Sequence, residues 1–135
     1  ASDPYRAIRM GAIDVAVVKA APLGGPRNVI AVAEEARKHG VAVTVSSAID
    51  SVVGMYAGLC AASAVDSQPA GLATGALMAG DVGDRRPIVD GMMAVELRTP
   101  DPDALARYRA PEDRVQWWKE RLAAVWKHVP GNVAD

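Results

Sequence analysis

An α/β fold assembled from repeated strand–helix units is what the sequence predicts, and three observations predict it. Asp14-Val15-Ala16-Val17-Val18-Lys19 and Val41-Ala42-Val43-Thr44-Val45-Ser46 are short apolar runs without polar alternation, the habit of parallel strands covered on both faces and deeply buried. Each is followed by a stretch with helical spacing of its apolar residues. Lys19, Ser46 and Gly71 lie 27 and 25 residues apart, close to one unit of an α/β barrel at roughly 30 residues. Residues 1–86 are therefore expected to hold three consecutive strand–helix units, and residues 87–135 a separate extended and helical segment.

Each element has a local cause. Asp3 and Pro4 cap and open a short helix that ends near Met10 and Gly11, since a side-chain acceptor and a proline suit a first helical turn. The first strand ends in Lys19, and Pro22-Leu23-Gly24-Gly25 reads as a loop. Pro26 then opens a helix with Val29, Ile30, Val32, Ala33 and Ala36 on one side, stopped by Gly40. After the second strand, residues 50–64 predict a helix capped by Asp50 or Ser51, whose Gly54, Ala57, Gly58, Ala61 and Ala62 allow close packing on a sheet. Residues 70–75 suit either a short closing strand or a glycine loop. The rhythm ends with the polar turn from Asp81 to Arg86, and residues 88–95 read as extended. Asp101-Pro102 starts a short helical turn, Ala110-Pro111 breaks it, and a longer helix to Val129-Pro130-Gly131 carries a stripe of Val115, Trp118, Leu122, Val125 and Val129.

Composition excludes several classes. Fifteen basic and sixteen acidic residues give a net charge of −1, with no basic patch to follow a phosphate backbone, so nucleic acid is not an expected partner. The lone Cys60 cannot form an internal disulfide, which suits a reducing cytoplasm. The longest apolar run, near residues 52–65, is too short and glycine-rich for a bilayer core of ~30 Å, and nothing at the start reads as a secretion signal; a soluble, cytoplasmic protein without membrane contact is expected. Packing against protein is the commoner use of a tryptophan-rich stripe than base stacking or membrane contact.

Several residues point to chemistry. A lysine at the carboxyl end of a parallel strand stands where α/β folds keep their ligand crevice; Lys19 suits either a functional cation or a structural ion pair there. Ser46 and Ser47 suit either ligand donors or a cap for the following helix, and Gly71 either backbone access to a ligand or close strand approach. His39 belongs to a basic helix end in solvent.

Lys19-Ala20-Ala21-Pro22-Leu23-Gly24-Gly25, Val45-Ser46-Ser47-Ala48-Ile49-Asp50-Ser51-Val52-Val53-Gly54 and Gly71-Leu72-Ala73-Thr74-Gly75, in this order and spacing, resemble the enolase superfamily. Val89-Asp90-Gly91 and Arg114-Val115-Gln116-Trp117-Trp118 resemble the carboxyl-terminal segment of an actinobacterial subgroup that forms an aromatic acid for menaquinone biosynthesis. The resemblance covers the whole chain. It implies the C-terminal part of a modified (β/α)8 TIM barrel, about the last three βα units, plus a C-terminal helical tail packing on a capping domain. That capping domain, the family's Lys-x-Lys base and its three carboxylate metal ligands would all precede Ala1, so the missing amino-terminal part is the expected partner and no metal ligand is expected in this chain.

The implied activity is that of a lyase using Mg²⁺ for a syn-dehydration, with a small-molecule carboxylate as substrate. A carbon acid beside a carboxylate needs a divalent cation and fixed positive charge in a dry site. Lys19 matches the sixth-strand lysine, expected opposite the base to stabilise the ring intermediate by a cation–π contact. Ser46, Ser47, Ile49 and Gly71 are implied as substrate-binding, the serines toward a succinyl carboxylate. Two rival readings stand beside it. One is an N-acylamino-acid racemase or dipeptide epimerase with Lys19 as a second base; the other is a non-catalytic phosphate-binding module using Gly24-Gly25 and the loop from Gly71 to Gly75, which lacks a following Lys-Ser/Thr.

Overall fold

The computed structural model describes residues 3–67 and 69–128. Helix α1 (Pro4–Arg9) opens on Asp3, whose carboxylate accepts the Tyr5 N–H at 3.0 Å, and leads to strand β1 (Val15–Lys19). What reads as a loop after Lys19 is a single helical turn, α2 (Ala20–Leu23), closed where Gly24 and Gly25 take φ of 84° and 121° and return their N–H groups to Ala21 and Ala20. Glycine alone enters that conformation without strain. Helix α3 (Pro26–Lys38) returns the chain to strand β2 (Ala42–Ser46).

β1 and β2 pair in parallel, with Val15 beside Ala42, Val17 beside Thr44 and Lys19 beside Ser46. A parallel pair joined by a helical crossover is the unit of an α/β fold. Helices α1, α3 and α4 (Met55–Val65) cover one face of this sheet. Ile8, Val29, Val32 and Val45 are its most completely buried large side chains. Arg9 on α1 meets Glu35 on α3 at 2.8 Å; that hydrogen bond, then Lys38, holds the Glu35 carboxyl below the usual carboxylate range against the opposing effect of desolvation.

Burial along β1 corrects one expectation. Ala16 and Val18 are buried, but Val15 and Val17 are 49% and 65% exposed. The strand is covered on one face only, because successive side chains alternate and the helices all lie on the Ala16–Val18 side. The open face carries Val15, Val17 and Lys19 with Ala42, Thr44 and Ser46.

The third unit is reduced to one residue. Gly71 forms a single parallel bridge to Ser46, giving its N–H to the Val45 carbonyl at 2.8 Å and receiving the Ser47 N–H at 3.0 Å. The chain then turns into a 3₁₀ turn over Thr74–Leu77. Along this edge the Val45 N–H is taken by the hydroxyl of Ser67, 2.8 Å away and only 6% exposed, in the place of a neighbouring strand's carbonyl. Ser67→Ala is expected to lower stability by about 1–3 kcal/mol, the cost of stranding a buried N–H; thermal unfolding checks it, and an unchanged midpoint would mean another acceptor replaces the hydroxyl.

Helix α4 starts later than expected, at Met55, and neither Asp50 nor Ser51 caps it. The Asp50 carboxylate accepts the Ala48 N–H and the Ser51 hydroxyl the Gly54 N–H, closing two local turns before the helix begins. Gly58 lets α4 close on the third unit, since a Cβ there would lie 3.1 Å from the Leu72 side chain, which would have to give by a few tenths of an ångström.

Beyond Arg86 the chain is mostly irregular. Its extended expectation survives only at Val89 and Met92, which pair across Asp90-Gly91 in a two-residue turn with both φ positive. The Arg86 guanidinium gathers this segment by donating to the carbonyls of Val52, Ala94 and Glu96 at 3.3, 3.4 and 2.7 Å. Helices α5 (Pro102–Arg107) and α6 (Glu112–Trp126) follow, with Asp101 capping the first at the Ala104 N–H. The stripe residues Trp118, Leu122 and Val125 are all half exposed or more; Val129, and the expected end of the helix near residues 130–131, lie outside the described residues. Among the described residues no helix is long and apolar enough to cross a membrane.

Candidate active site

The register of the sheet creates the site. Because Lys19 and Ser46 end neighbouring strands in matched register on the open face, the ammonium reaches the next strand's end. Lys19 Nζ donates to Ser46 Oγ at 2.9 Å and to the Ser47 carbonyl at 2.5 Å. Both acceptors are neutral, so a half-buried cation is fixed in place with its charge uncompensated by either of them. That is the opposite of a structural ion pair, in which a carboxylate would take the third proton.

Ser46 and Ser47 differ sharply. Ser46 is half-buried on the open face, and among the described residues its own proton has only the Ser47 carbonyl at 3.3 Å to donate to. A bond that long yields easily to a better acceptor. Ser47 is 3% exposed and turned inward, its hydroxyl 3.2 Å from the Gly71 carbonyl and 2.6 Å from Thr74 Oγ1. Neither serine caps helix α4.

Gly71 sits against Ser46 so closely that a Cβ would lie 3.3 Å from Ser46 Oγ; the absent side chain leaves the mouth beside Lys19 open. Ile49 is 59% exposed and holds φ at 61°. A β-branched residue in the left-handed region is a true outlier, and such strain persists only where the surroundings impose it. Lys19, Ser46 and Gly71 are thus brought together by neighbouring strand ends, with Ile49 two residues beyond the buried Ser47.

A separate cavity of about 80 Å³, lined by Asp50, Val52, Leu72, Ala73, Gly75 and Met93 among others, contains none of the candidate residues. Cys60, half-buried on α4, raises the Tyr56 phenol's titration through their side-chain contact. Magnesium takes oxygens in octahedral array, but among the described residues no three His, Cys, Asp or Glu side chains converge. The residues present do not fit a magnesium site.

Thr74 and Ser67 are the polar partners that reading the sequence did not single out. Thr74 lies within a quoted motif, but only the bridge at Gly71 turns it toward Ser47; Ser67 stands in a turn that gives no local sign of contact with a strand edge.

No family model matches the chain. It is 45% identical over 126 residues to o-succinylbenzoate synthase of Mycolicibacterium smegmatis, covering 92% of this chain and 38% of that protein. The o-succinylbenzoate synthases of Mycobacterium tuberculosis strain H37Rv and Mycobacterium ulcerans are each 44% identical over 128 residues, covering 93% of this chain and 38% of theirs. The chain thus spans about two fifths of the length of the curated relatives it matches, and over that segment it is similar to o-succinylbenzoate synthases.

Proposed function

We propose that this chain supplies the sixth-strand lysine and part of the substrate pocket of an o-succinylbenzoate synthase. The reaction is the magnesium-dependent syn-dehydration of 2-succinyl-6-hydroxy-2,4-cyclohexadiene-1-carboxylate to 2-succinylbenzoate in menaquinone biosynthesis, in a cytoplasmic enzyme. The carrying observation is Lys19: a half-buried ammonium at a parallel strand end, held by two neutral acceptors and facing an open sheet face. In this reading residues 1–86 are the closing units of a TIM barrel, residues 87–135 run back to a capping domain, and the sheet's open face is the barrel interior.

Each residue then has a physical task. The Lys19 ammonium presents positive charge to the ring as electron density builds there, and a cation in a water-poor site stabilises such density far more than one in bulk water. Ser46 Oγ turns its proton from the Ser47 carbonyl to the remote carboxylate. Gly71 leaves room for that carboxylate, and Ile49 closes the mouth with apolar surface. The divalent cation that stabilises the enediolate would be held by residues outside this chain.

Ser46→Ala in the complete enzyme is expected to raise KM several-fold with a smaller fall in kcat, because a remote carboxylate is held equally in ground and transition states. Steady-state kinetics decide it; an unchanged KM would leave Ser46 only its bond to Lys19.

The racemase or epimerase reading uses the same Lys19 as a base on one face of an α-carbon. Measuring dehydration and N-acylamino-acid racemisation side by side on the complete protein separates the two; racemisation without dehydration would overturn the synthase reading. The phosphate-module reading loses support from geometry. The N–H groups of Gly24, Gly25 and Gly71 are committed to the carbonyls of Ala21, Ala20 and Val45, which leaves these amides nothing to offer an anion.

A further inference from the structure

We propose that Thr74 is a positioning residue for the Lys19 ammonium, acting through Ser47. The 2.6 Å contact between Ser47 Oγ and Thr74 Oγ1 admits either hydroxyl as donor; with Thr74 donating, Ser47 Oγ gives its one proton to the Gly71 carbonyl at 3.2 Å. Ser47 also gives its backbone N–H to that same Gly71 carbonyl, at 3.0 Å. The residue is therefore held at its amide and at its side chain, and the second hold is tightened by Thr74 from the first position of the 3₁₀ turn. The carbonyl of Ser47 accepts Lys19 Nζ at 2.5 Å and faces Ser46 Oγ at 3.3 Å. Its direction sets where the ammonium stands, and Thr74 sets that direction from the far side of Ser47. Thr74 touches neither Lys19 nor the proposed substrate.

The test is made on the complete enzyme with Thr74→Val, which keeps the shape and removes the hydroxyl, Thr74→Ala as a second removal, and Thr74→Ser, which restores it. The first readout needs no substrate: the rate at which Lys19 is acylated by an amine-selective reagent at fixed pH, followed by mass spectrometry. Thr74→Val or Thr74→Ala should speed acylation several-fold by loosening the ammonium's anchor, and Thr74→Ser should return it to the wild-type rate. The second readout rests on the synthase reading: kcat should fall about fivefold to tenfold in Thr74→Val, the scale of one neutral hydrogen bond, with KM within twofold. If the enzyme proves to have no synthase activity, that reading fails while acylation still decides the role of Thr74. Acylation within twofold of wild type in whichever of Thr74→Val and Thr74→Ala folds, or a rate that Thr74→Ser does not restore, would overturn the proposal.

Discussion

Lys19→Ala, made in the complete enzyme, is expected to lower dehydration about a hundredfold or more while the protein still folds. The rate loss follows from removing fixed positive charge aimed at developing electron density, an effect on the order of 10²–10³ when one such donor is deleted. The small cost in folding follows from the position of the side chain. Lys19 stands at a strand end on the uncovered face, and it contributes two hydrogen bonds to neutral acceptors but no packing with the core of Ile8, Val29, Val32 and Val45. Lys19→Arg should fail nearly as badly. The guanidinium is wider and its charge more spread, and it cannot place one donor on Ser46 Oγ and another on the Ser47 carbonyl while keeping a third free toward the ring. Turnover of Lys19→Ala within a few-fold of wild type, measured on a sample whose unfolding is unchanged, would remove Lys19 from the chemistry.

Much of the positioning of this lysine is legible before any coordinates. Two apolar runs of equal kind, each followed by a helix, imply a parallel pair; once they pair, their polar ends at Lys19 and Ser46 must meet at one edge of the sheet. The caps at Asp3 and Asp101 are legible for the same reason, since each depends on residues within a few positions, whereas the Asp90-Gly91 turn falls inside residues 88–95, which read as extended. What escapes the sequence depends on contacts between distant segments. An apolar run does not say how many faces will be covered, so Val15 and Val17 read as buried although the helices reach only the other side. Asp50 and Ser51 have the chemistry of a helix cap but are drawn into turns at Ala48 and Gly54, delaying α4 to Met55. Ser46 and Ser47 look alike in sequence; the alternation of a strand turns one to the open face and the other inward to Gly71 and Thr74. The reduction of the third strand to a bridge at Gly71 follows from Ser67 taking the Val45 N–H, a partner 22 residues away.

The 135-residue chain by itself is expected to be inactive and to show no specific magnesium binding. Its open sheet face exposes Val15 and Val17, and its α6 exposes Trp117, Trp118, Leu122, Val125 and Trp126. Apolar surface of that extent, together with an unpaired strand edge beside β1, favours association with other chains over a monomeric state. Among the described residues no cluster of acidic or other metal-ligating side chains faces Lys19, so a hard divalent cation has no ligand set there. A covering layer that adds barrel strands against Val15, Val17 and Thr44 would bury this surface, bring carboxylates opposite the ammonium and complete the site in one step. The most direct test refolds the chain alone and together with the amino-terminal portion of an o-succinylbenzoate synthase, then follows dehydration and magnesium calorimetry in each sample. Neither signal is expected from the chain alone and both from the mixture, with dehydration abolished when the chain carries Lys19→Ala. A chain that unfolds cooperatively as a monomer and gains no activity from its complement would contradict it.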